Sequence, residues 1–517
     1  MLACRDRLVP DLMETKGVVL LSIDHYTNFT GPFQPILNPN LFDKKKEERM
    51  STRNKVSRRE FLKVAGLTTA GATLASCAKA TPAPATSAPG TSAPATSAPA
   101  TSVPATSAPA GPVKLTVAIA TGEYSDDQLK DFVTRNPNIQ LDRVDADRTK
   151  IEAMFAAGNP PDIIRDSGAG YQPWALRGLL LDLTPYFNAS KILKPDDIVS
   201  QPAQYFKLNG GWYGMHKDWS PDQSTFINTD AFAEAGLTVP DYKTHMMPFT
   251  EAADWAKKLT KKSGARTVRM GWGYSNYWDA AVQLVAFEDG KKIYSDDFSK
   301  IIIKDNPNVV DFLKLMAQLS LDGYVFSTLN PDPNWNGDDM TKNLCGFIST
   351  GYWFHGMVVG MDPTVLAPEK IMMLPGLSWG GKVIVNPSDG GAGLLISKAS
   401  KNPDAAWTWY EDYNGGQPAI DRAKSGWGVP ALKSMFQYIP QATNVDKQFY
   451  EVLNWEIQND NMTPVQVNPY YSRDVFSNSW NSGLDQYLKG TMTFDAVIDK
   501  LEADCNKAIS DGMAASK

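Results

Sequence analysis

Residues 86–110 are five blocks of five residues, Thr-Ser-Ala-Pro-Gly and four near-copies of it, set inside a stretch (78–112) made almost wholly of alanine, proline, threonine and serine. A proline at every fifth position forbids continuous helix and disfavours sheet pairing, and a segment without large apolar side chains has nothing to bury. The stretch therefore reads as an extended, partly polyproline-II spacer, reaching up to ~100 Å at about 3.1 Å per residue. It divides the chain. A folded body begins at Val113, and whatever precedes residue 78 sits at the other end of a tether.

That other end carries Ser57-Arg58-Arg59-Glu60-Phe61-Leu62-Lys63, an apolar run from Val64 to Ser76, and Leu74-Ala75-Ser76-Cys77. The run is too short to span a bilayer, so it reads as a signal and not as a transmembrane helix. The arginine pair Arg58 and Arg59 resembles a twin-arginine export signal, and the last four residues resemble a bacterial lipobox, in which the Cys77 thiol receives a diacylglycerol. Such a signal starts close to the initiator, which places the natural start at Met50 and makes 1–49 an upstream extension outside the fold. Residues 50–76 are then the signal and 77–112 the lipid-anchor cysteine and spacer. The body is expected on the outer face of the cytoplasmic membrane, held there by lipid alone.

From Val113 onward the composition is that of a globular protein long enough for two lobes. The net charge of the whole chain is -6, which argues against nucleic acid, whose phosphates need a basic face. With Cys4 in the extension and Cys77 the lipid site, only Cys345 and Cys505 remain. They allow one bridge or two buried free thiols, and no disulfide framework.

Val113, Leu115, Val117 and Ile119 alternate with Lys114, Thr116 and Ala118, which predicts a half-buried strand. A helix follows, capped by Asp126, striped by Leu129, Phe132 and Val133 and stopped at Asn136-Pro137. Ile139 and Leu141 predict a second strand, Ile151, Met154 and Phe155 a second helix ending at Gly158-Asn159-Pro160-Pro161, and Asp162 to Arg165 a third strand. Strand and helix in alternation predict a parallel sheet, whose ligand crevice lies beyond the carboxyl ends of the strands, where Glu123 and Asp166 fall.

Several segments in order resemble the bacterial extracellular solute-binding proteins of the maltose-binding type, partners of ABC importers. Gly158-Asn159-Pro160-Pro161-Asp162-Ile163-Ile164 is similar to that family's Gly-x-x-Pro-Asp stretch, and Gly178-Leu179-Leu180-Leu181-Asp182-Leu183-Thr184-Pro185 to its Gly-x-Leu-x-Asp-Leu-Thr-Pro segment. Gly211-Trp212-Tyr213-Gly214-Met215 and Phe226-Ile227-Asn228-Thr229-Asp230 resemble its passage into a second lobe, and Leu395-Ile396-Ser397-Lys398 with Asn402-Pro403-Asp404-Ala405-Ala406-Trp407 its later return. One departure is His216, where the family often has proline. The resemblance implies an α/β fold of the type II periplasmic-binding kind: two lobes, each a mainly parallel sheet flanked by helices, joined by hinge strands. Lobe 1 would hold 113–222 plus 391–432, and lobe 2 would hold 223–390 plus 433–517.

All 14 tryptophans lie between Trp174 and Trp480, several of them in polar or glycine-rich loops. Such a pattern suits a pyranose, whose C–H faces lie on aromatic rings while its hydroxyls meet carboxylates and amides. Tyr277 and Trp278, Trp353 in its Gly-x-Trp loop, and Tyr471 match positions where the family presents aromatics. Trp278, Trp353 and Tyr471 are expected as platforms, Glu123 and Asp166 as hydroxyl partners, and Trp219 and Trp427 as secondary candidates. Trp255, Trp407 and Trp409 fall in helix-like runs and are assigned to the core.

Gly376 to Lys382 has phosphate-loop spacing, but Val383 lacks the hydroxyl that would hold magnesium and a strand-like run follows. Asp332-Pro333-Asn334-Trp335-Asn336-Gly337 resembles half a calcium loop, yet Asn343 stands where a bidentate glutamate belongs, so it reads as a turn. The four histidines are scattered, and no metal or cofactor is expected. The expectation is a monomeric, non-enzymatic lipoprotein that captures an oligosaccharide or glycoside and delivers it to an ABC permease. The rivals are an exported glycoside hydrolase, which needs a pair of carboxyl groups across the scissile bond, and a surface adhesin.

Overall fold

A computed structural model describes residues 111–516, except 145–146, 275–277, 333, 382–385, 388–390 and 459–463. Arg58, Arg59, Cys77, Tyr277 and the strand-like run at Val383 fall outside the described residues.

The opening strand, Val113–Ala118, buries Leu115 and Val117 as its alternation predicts. It pairs in parallel with Ile139–Val144 on one side and with Ile163–Ser167 on the other. The first helix, Asp126–Arg135, is capped one residue earlier than expected. Ser125 Oγ accepts from the Gln128 amide and Gln128 Oε1 accepts from the Ser125 amide, a reciprocal box that leaves Asp126 in the first turn, where its negative charge meets the helix dipole and Arg143 binds it at 2.7 Å. Asn136 ends the helix as predicted. The strand Ala392–Ile396 then joins the sheet antiparallel to Ile163–Ser167, with Gly214–His216 antiparallel at its outer edge. Four strands of the first sheet thus run one way, and Ala392–Ile396 runs against them between Ile163–Ser167 and Gly214–His216.

The second sheet runs Lys261–Ser263, Arg266–Tyr274, Cys345–Thr350, Ser224–Asn228, Ile371–Leu374 in spatial order. Here only Arg266–Tyr274 and Cys345–Thr350 are hydrogen-bonded in parallel. Ser224–Asn228 is antiparallel to both its neighbours because the chain enters this sheet from the first one, running opposite to the strands that return over helices.

Between the sheets the chain crosses through short paired segments. Asp218–Trp219 pairs with Val429–Pro430, and Pro221–Asp222 pairs with Asn386–Pro387, all antiparallel. Gln223 follows at φ +78°, a left-handed backbone that a side-chain-bearing residue adopts only under constraint. His216 is buried at the start of this crossing, its ring edge-on to Phe206 at 4.7 Å.

Each sheet has its own hydrophobic cluster, and a third lies under the crossing around Trp219, Phe226, Tyr352 and Phe449. The helix Trp278–Glu288 belongs to two of them. Trp278, Val282 and Val285 pack into the second sheet's cluster, while Ala280 and Leu284 pack into the first sheet's. This helix therefore ties the lobes together beside the crossing strands. Trp255, Trp407 and Trp409 are buried, as their helical runs suggested, and Cys345 and Cys505 are buried free thiols in different clusters. No helix among the described residues is long and apolar enough to cross a membrane.

Candidate functional site

The two parallel strands of the second sheet finish side by side, with Tyr274 in register with Ser349. Loops leaving the carboxyl ends of parallel strands diverge and leave a crevice between them. The chain after Tyr274 begins the helix at Trp278, and the chain after Thr350 turns at once through Gly351 into a single 3₁₀ turn, Tyr352–Phe354, that carries Trp353. Across from them lie the segment 326–336 and the helix Asp474–Leu488. These elements enclose a cavity of about 520 Å³ lined by Tyr274, Trp278, Trp335, Asn336, Trp353, Asn481 and Asp485, among others.

The cavity is aromatic on one side. Trp335 and Trp353 stack with ring centroids 5.4 Å apart and an interplanar angle of 18°. Trp427 continues the series, 5.9 Å from Trp353 and tilted by 42°. Trp427 stands between Gly426 at φ +73° and Gly428 at φ +95°, conformations a side chain would strain. A Cβ on Gly426 would lie 2.5 Å from His355 Nδ1, and a Cβ on Gly356 2.9 Å from the Trp427 ring. The loop bearing Trp427 is therefore pressed against the helix that follows Trp353. His355 anchors it, with Nε2 2.8 Å from Asp446 Oδ1 and Nδ1 3.3 Å from the Tyr352 hydroxyl. Burial lowers the pKa of His355 and Asp446 offsets that only in part, so the neutral ring is favoured.

Polar groups face the aromatic wall. Trp278 is only 6 % exposed, 4.9 Å from Tyr274 and 5.6 Å from Trp480, and its buried indole N–H has no acceptor among the described residues. Asp485 binds Lys489 Nζ through Oδ2 at 2.6 Å, and Lys489, with a side-chain hydrogen bond from Thr328, which also lines the cavity, holds its carboxyl below the usual value. A buried donor left unpaired beside a cavity is costly unless water or a ligand satisfies it.

Of the residues expected from sequence, Trp278 and Trp353 line this cavity and Trp427 backs it. Trp219 does not line it. Its indole donates to Pro430 O at 3.2 Å and its ring fills the cluster under the crossing. Tyr471 is 5 % exposed and its hydroxyl meets that of Tyr294 at 2.7 Å, inside the second sheet's core.

Glu123 lies in the turn after the first strand and Asp166 is the penultimate residue of Ile163–Ser167, but each is held by an arginine and neither lines the cavity. Arg165 clasps Glu123 with two bonds of 2.9 and 3.0 Å. Burial raises the Glu123 pKa, and Arg165, Lys217 and Arg422 outweigh it, keeping the carboxyl below its usual value. Asp166 binds Arg148 and accepts from the Ser167 amide at 2.7 Å, yet burial, with a contribution from Asp474 of the second lobe, still raises its pKa.

Trp335, which the sequence presents only as part of a calcium-like turn, also lines the cavity. The usable signal was a tryptophan in a turn of proline, asparagine and aspartate, where no core packing calls for one. The turn is of the expected kind, with Asp332 Oδ1 accepting the Asn334 amide at 3.0 Å.

The sequence pattern of the bacterial extracellular solute-binding proteins matches residues 120–411, more than half of the chain. The chain belongs to this family. Solved structures agree with the fold. An ABC substrate-binding protein from Listeria monocytogenes in complex with cycloalternan superposes with a TM-score of 0.65 at 23% identity, covering 77% of this chain and 99% of that one. A solute-binding protein from Thermotoga lettingae bound with α-D-tagatose gives 0.63 at 17% identity over 77% and 100%. The ABC transporter-associated binding protein of B. animalis subsp. lactis in complex with β-1,6-galactobiose gives 0.62 at 19% identity over 78% and 99%. No curated protein sequence matches the chain. In this solute-binding fold the aromatic cavity sits at strand ends, where open α/β sheets bind ligands.

Proposed function

We propose that this solute-binding protein is the substrate-capturing subunit of an ABC importer, anchored by lipid at Cys77 outside the cytoplasmic membrane, and that its cargo is an oligosaccharide or glycoside. The observation that carries the reading is the cavity: stacked Trp335 and Trp353 on one side, and on the other the unpaired Trp278 N–H and the carboxylate of Asp485. A ligand that satisfies all of them has flat apolar faces and both donors and acceptors on its rim, which describes a pyranose. Relatives in fold bound to cycloalternan and to galactobiose support the class.

Capture works by differential affinity. Cargo held by one lobe gains contacts when the other closes, so the closed state is favoured by the difference in binding free energy between the two conformations, and the permease reads that state. The strained Gln223 and the short pairings at Asp218–Trp219 and Pro221–Asp222 are where the crossing would bend. The proline-rich spacer lets a twin-arginine-exported monomer reach cargo well above the lipid and still meet its permease.

Thermal-shift screening against a saccharide panel tests this, because a ligand that binds only the folded state raises the melting temperature by mass action. The reading expects a selective rise of several degrees with the saccharide returned intact. Cleavage of the saccharide, or stabilisation only by peptides or polyamines, would overturn it.

A further inference from the structure

Each ring of the aromatic series lies against a glycine. A Cβ on Gly351 would stand 2.7 Å from Trp353 Cδ1, one on Gly356 2.9 Å from Trp427 Cε3, and one on Gly337 2.9 Å from Trp335 Cη2. The first two glycines also answer to the fold. A Cβ on Gly351 would collide with Asp222 Oδ1 and Ser220 Oγ in the crossing, and one on Gly356 would meet the backbone of Trp427 and Ser425 at 3.2 and 3.3 Å. At Gly337 the three nearest atoms are Trp335 Cη2 and, at 3.1 Å, Trp335 Cζ2 and Met357 Sδ, all of them far out on side chains.

Gly337 is buried at the second position of the short helix Asn336–Thr341, and its φ is not positive, so its backbone is one that alanine adopts without strain. On helix propensity alone glycine is the poorer choice there, because it loses the most conformational freedom on folding. The calcium-like pattern does not account for it either, since the glycine of such a loop serves a sharp turn. What a side chain at 337 would disturb is the ring of Trp335, whose far edge lies over this position while its face lies nearly parallel to Trp353.

We infer that Gly337 is a positioning residue for cargo binding: the space left by its missing side chain seats the Trp335 ring on Trp353 and so fixes the distance between the aromatic wall and the polar groups across the cavity. This rests on the carbohydrate reading and deepens it. A methyl at 337 is relieved by moving Trp335 or Met357, and Trp335 is both the nearer and, at 40 % exposed, a ring with solvent to move into. The ring leaves its stack while the backbone stays in place. A sugar laid on a displaced ring no longer meets Trp278 Nε1 and Asn481 in the geometry the cavity sets.

The test compares Gly337→Ala, Trp335→Ala and the double variant by circular dichroism, melting curves and titration calorimetry with the saccharide that gives the largest thermal shift. Two stacked indoles give an exciton couplet in the far ultraviolet, and the difference spectrum between the wild type and Trp335→Ala isolates it. Gly337→Ala should lose that couplet without ligand, melt at the wild-type temperature or slightly above it, and bind the saccharide about tenfold or more weakly, as Trp335→Ala does. In the double variant the two losses should not add, because the methyl acts through the ring. An intact couplet with wild-type affinity in Gly337→Ala would overturn the inference, and so would losses that add in the double variant. Failure of Gly337→Ala to fold would overturn it too, since the glycine would then serve the fold. Absence of binding by every saccharide would overturn the carbohydrate reading and the cargo role with it, a result that the ligand-free couplet keeps apart from a failure of Gly337 to seat the ring.

Discussion

Trp335 and Trp353 lie nearly parallel, 5.4 Å apart at 18°, although they leave different elements of the second lobe. Trp335 is 40 % exposed, whereas Trp353 is wedged between it and Trp427. The pair has an accessible member and a supporting one, and mutation should separate their roles.

Trp335→Ala should weaken saccharide binding by about tenfold or more while changing unfolding free energy by less than ~1 kcal/mol, the range for exposed side chains. Trp353→Ala should weaken binding similarly but cost more, about 1–3 kcal/mol, because it leaves a gap between two rings. Titration calorimetry and urea unfolding of both variants check this.

Glu456 is fully buried, accepting from Ser224 Oγ at 2.9 and 3.0 Å and from the Gly376 amide at 3.1 Å. Burial raises its pKa from 4.5 to about 8, against the lowering effect of those bonds. The folded state holds the proton that the unfolded chain releases, so stability falls as pH rises from 4.5 towards about 8 and flattens beyond. Glu456→Gln should have nearly the wild-type melting temperature near the lower end of that window and melt several degrees higher at its upper end.

His355 has the opposite sign. Its pKa is lowered in the fold, so below the ordinary value of 6.5 the unfolded chain takes up a proton that the buried ring resists. Stability should fall as pH drops below about 6.5, the usual histidine range. His355→Gln should flatten that slope in urea titrations across pH 5–7.

Gly426→Ala places a methyl 2.5 Å from His355 Nδ1 at a φ of +73°. A loss of about 1–3 kcal/mol is expected, the scale for a strained backbone and an overpacked contact. Because the shift displaces the loop carrying Trp427, saccharide affinity should fall with it, as calorimetry at a temperature where the variant remains folded would show.

The first sheet was legible because its strands alternate cleanly and its terminators, Asn136-Pro137 and Gly158-Asn159-Pro160-Pro161, are strong. The helix cap at Ser125 was one residue off, since serine, aspartate and aspartate in a row all qualify and only the reciprocal bond with Gln128 decides. The antiparallel entry of Ser224–Asn228 into the second sheet follows from the crossing, which local pattern does not encode. Site residues were harder to read. Trp278 and Trp353 lie next to strand ends, where sequence position predicts a crevice. Tyr471 and Trp219 have the same residue chemistry but are claimed by the core through contacts distant in sequence, to Tyr294 and Pro430. Glu123 and Asp166 stand at strand ends as expected, but sequence gave no sign that Arg165 and Arg148 would engage them.

The most direct measurement is a crystal structure with the saccharide that gives the largest thermal shift. The account predicts a sugar ring in the cavity beside Trp335 and Trp353, within hydrogen-bonding distance of Trp278 Nε1 and the carboxylate of Asp485. A saccharide bound elsewhere, such as the groove of Tyr242, Tyr450 and Trp455, with the cavity holding only water, would contradict it.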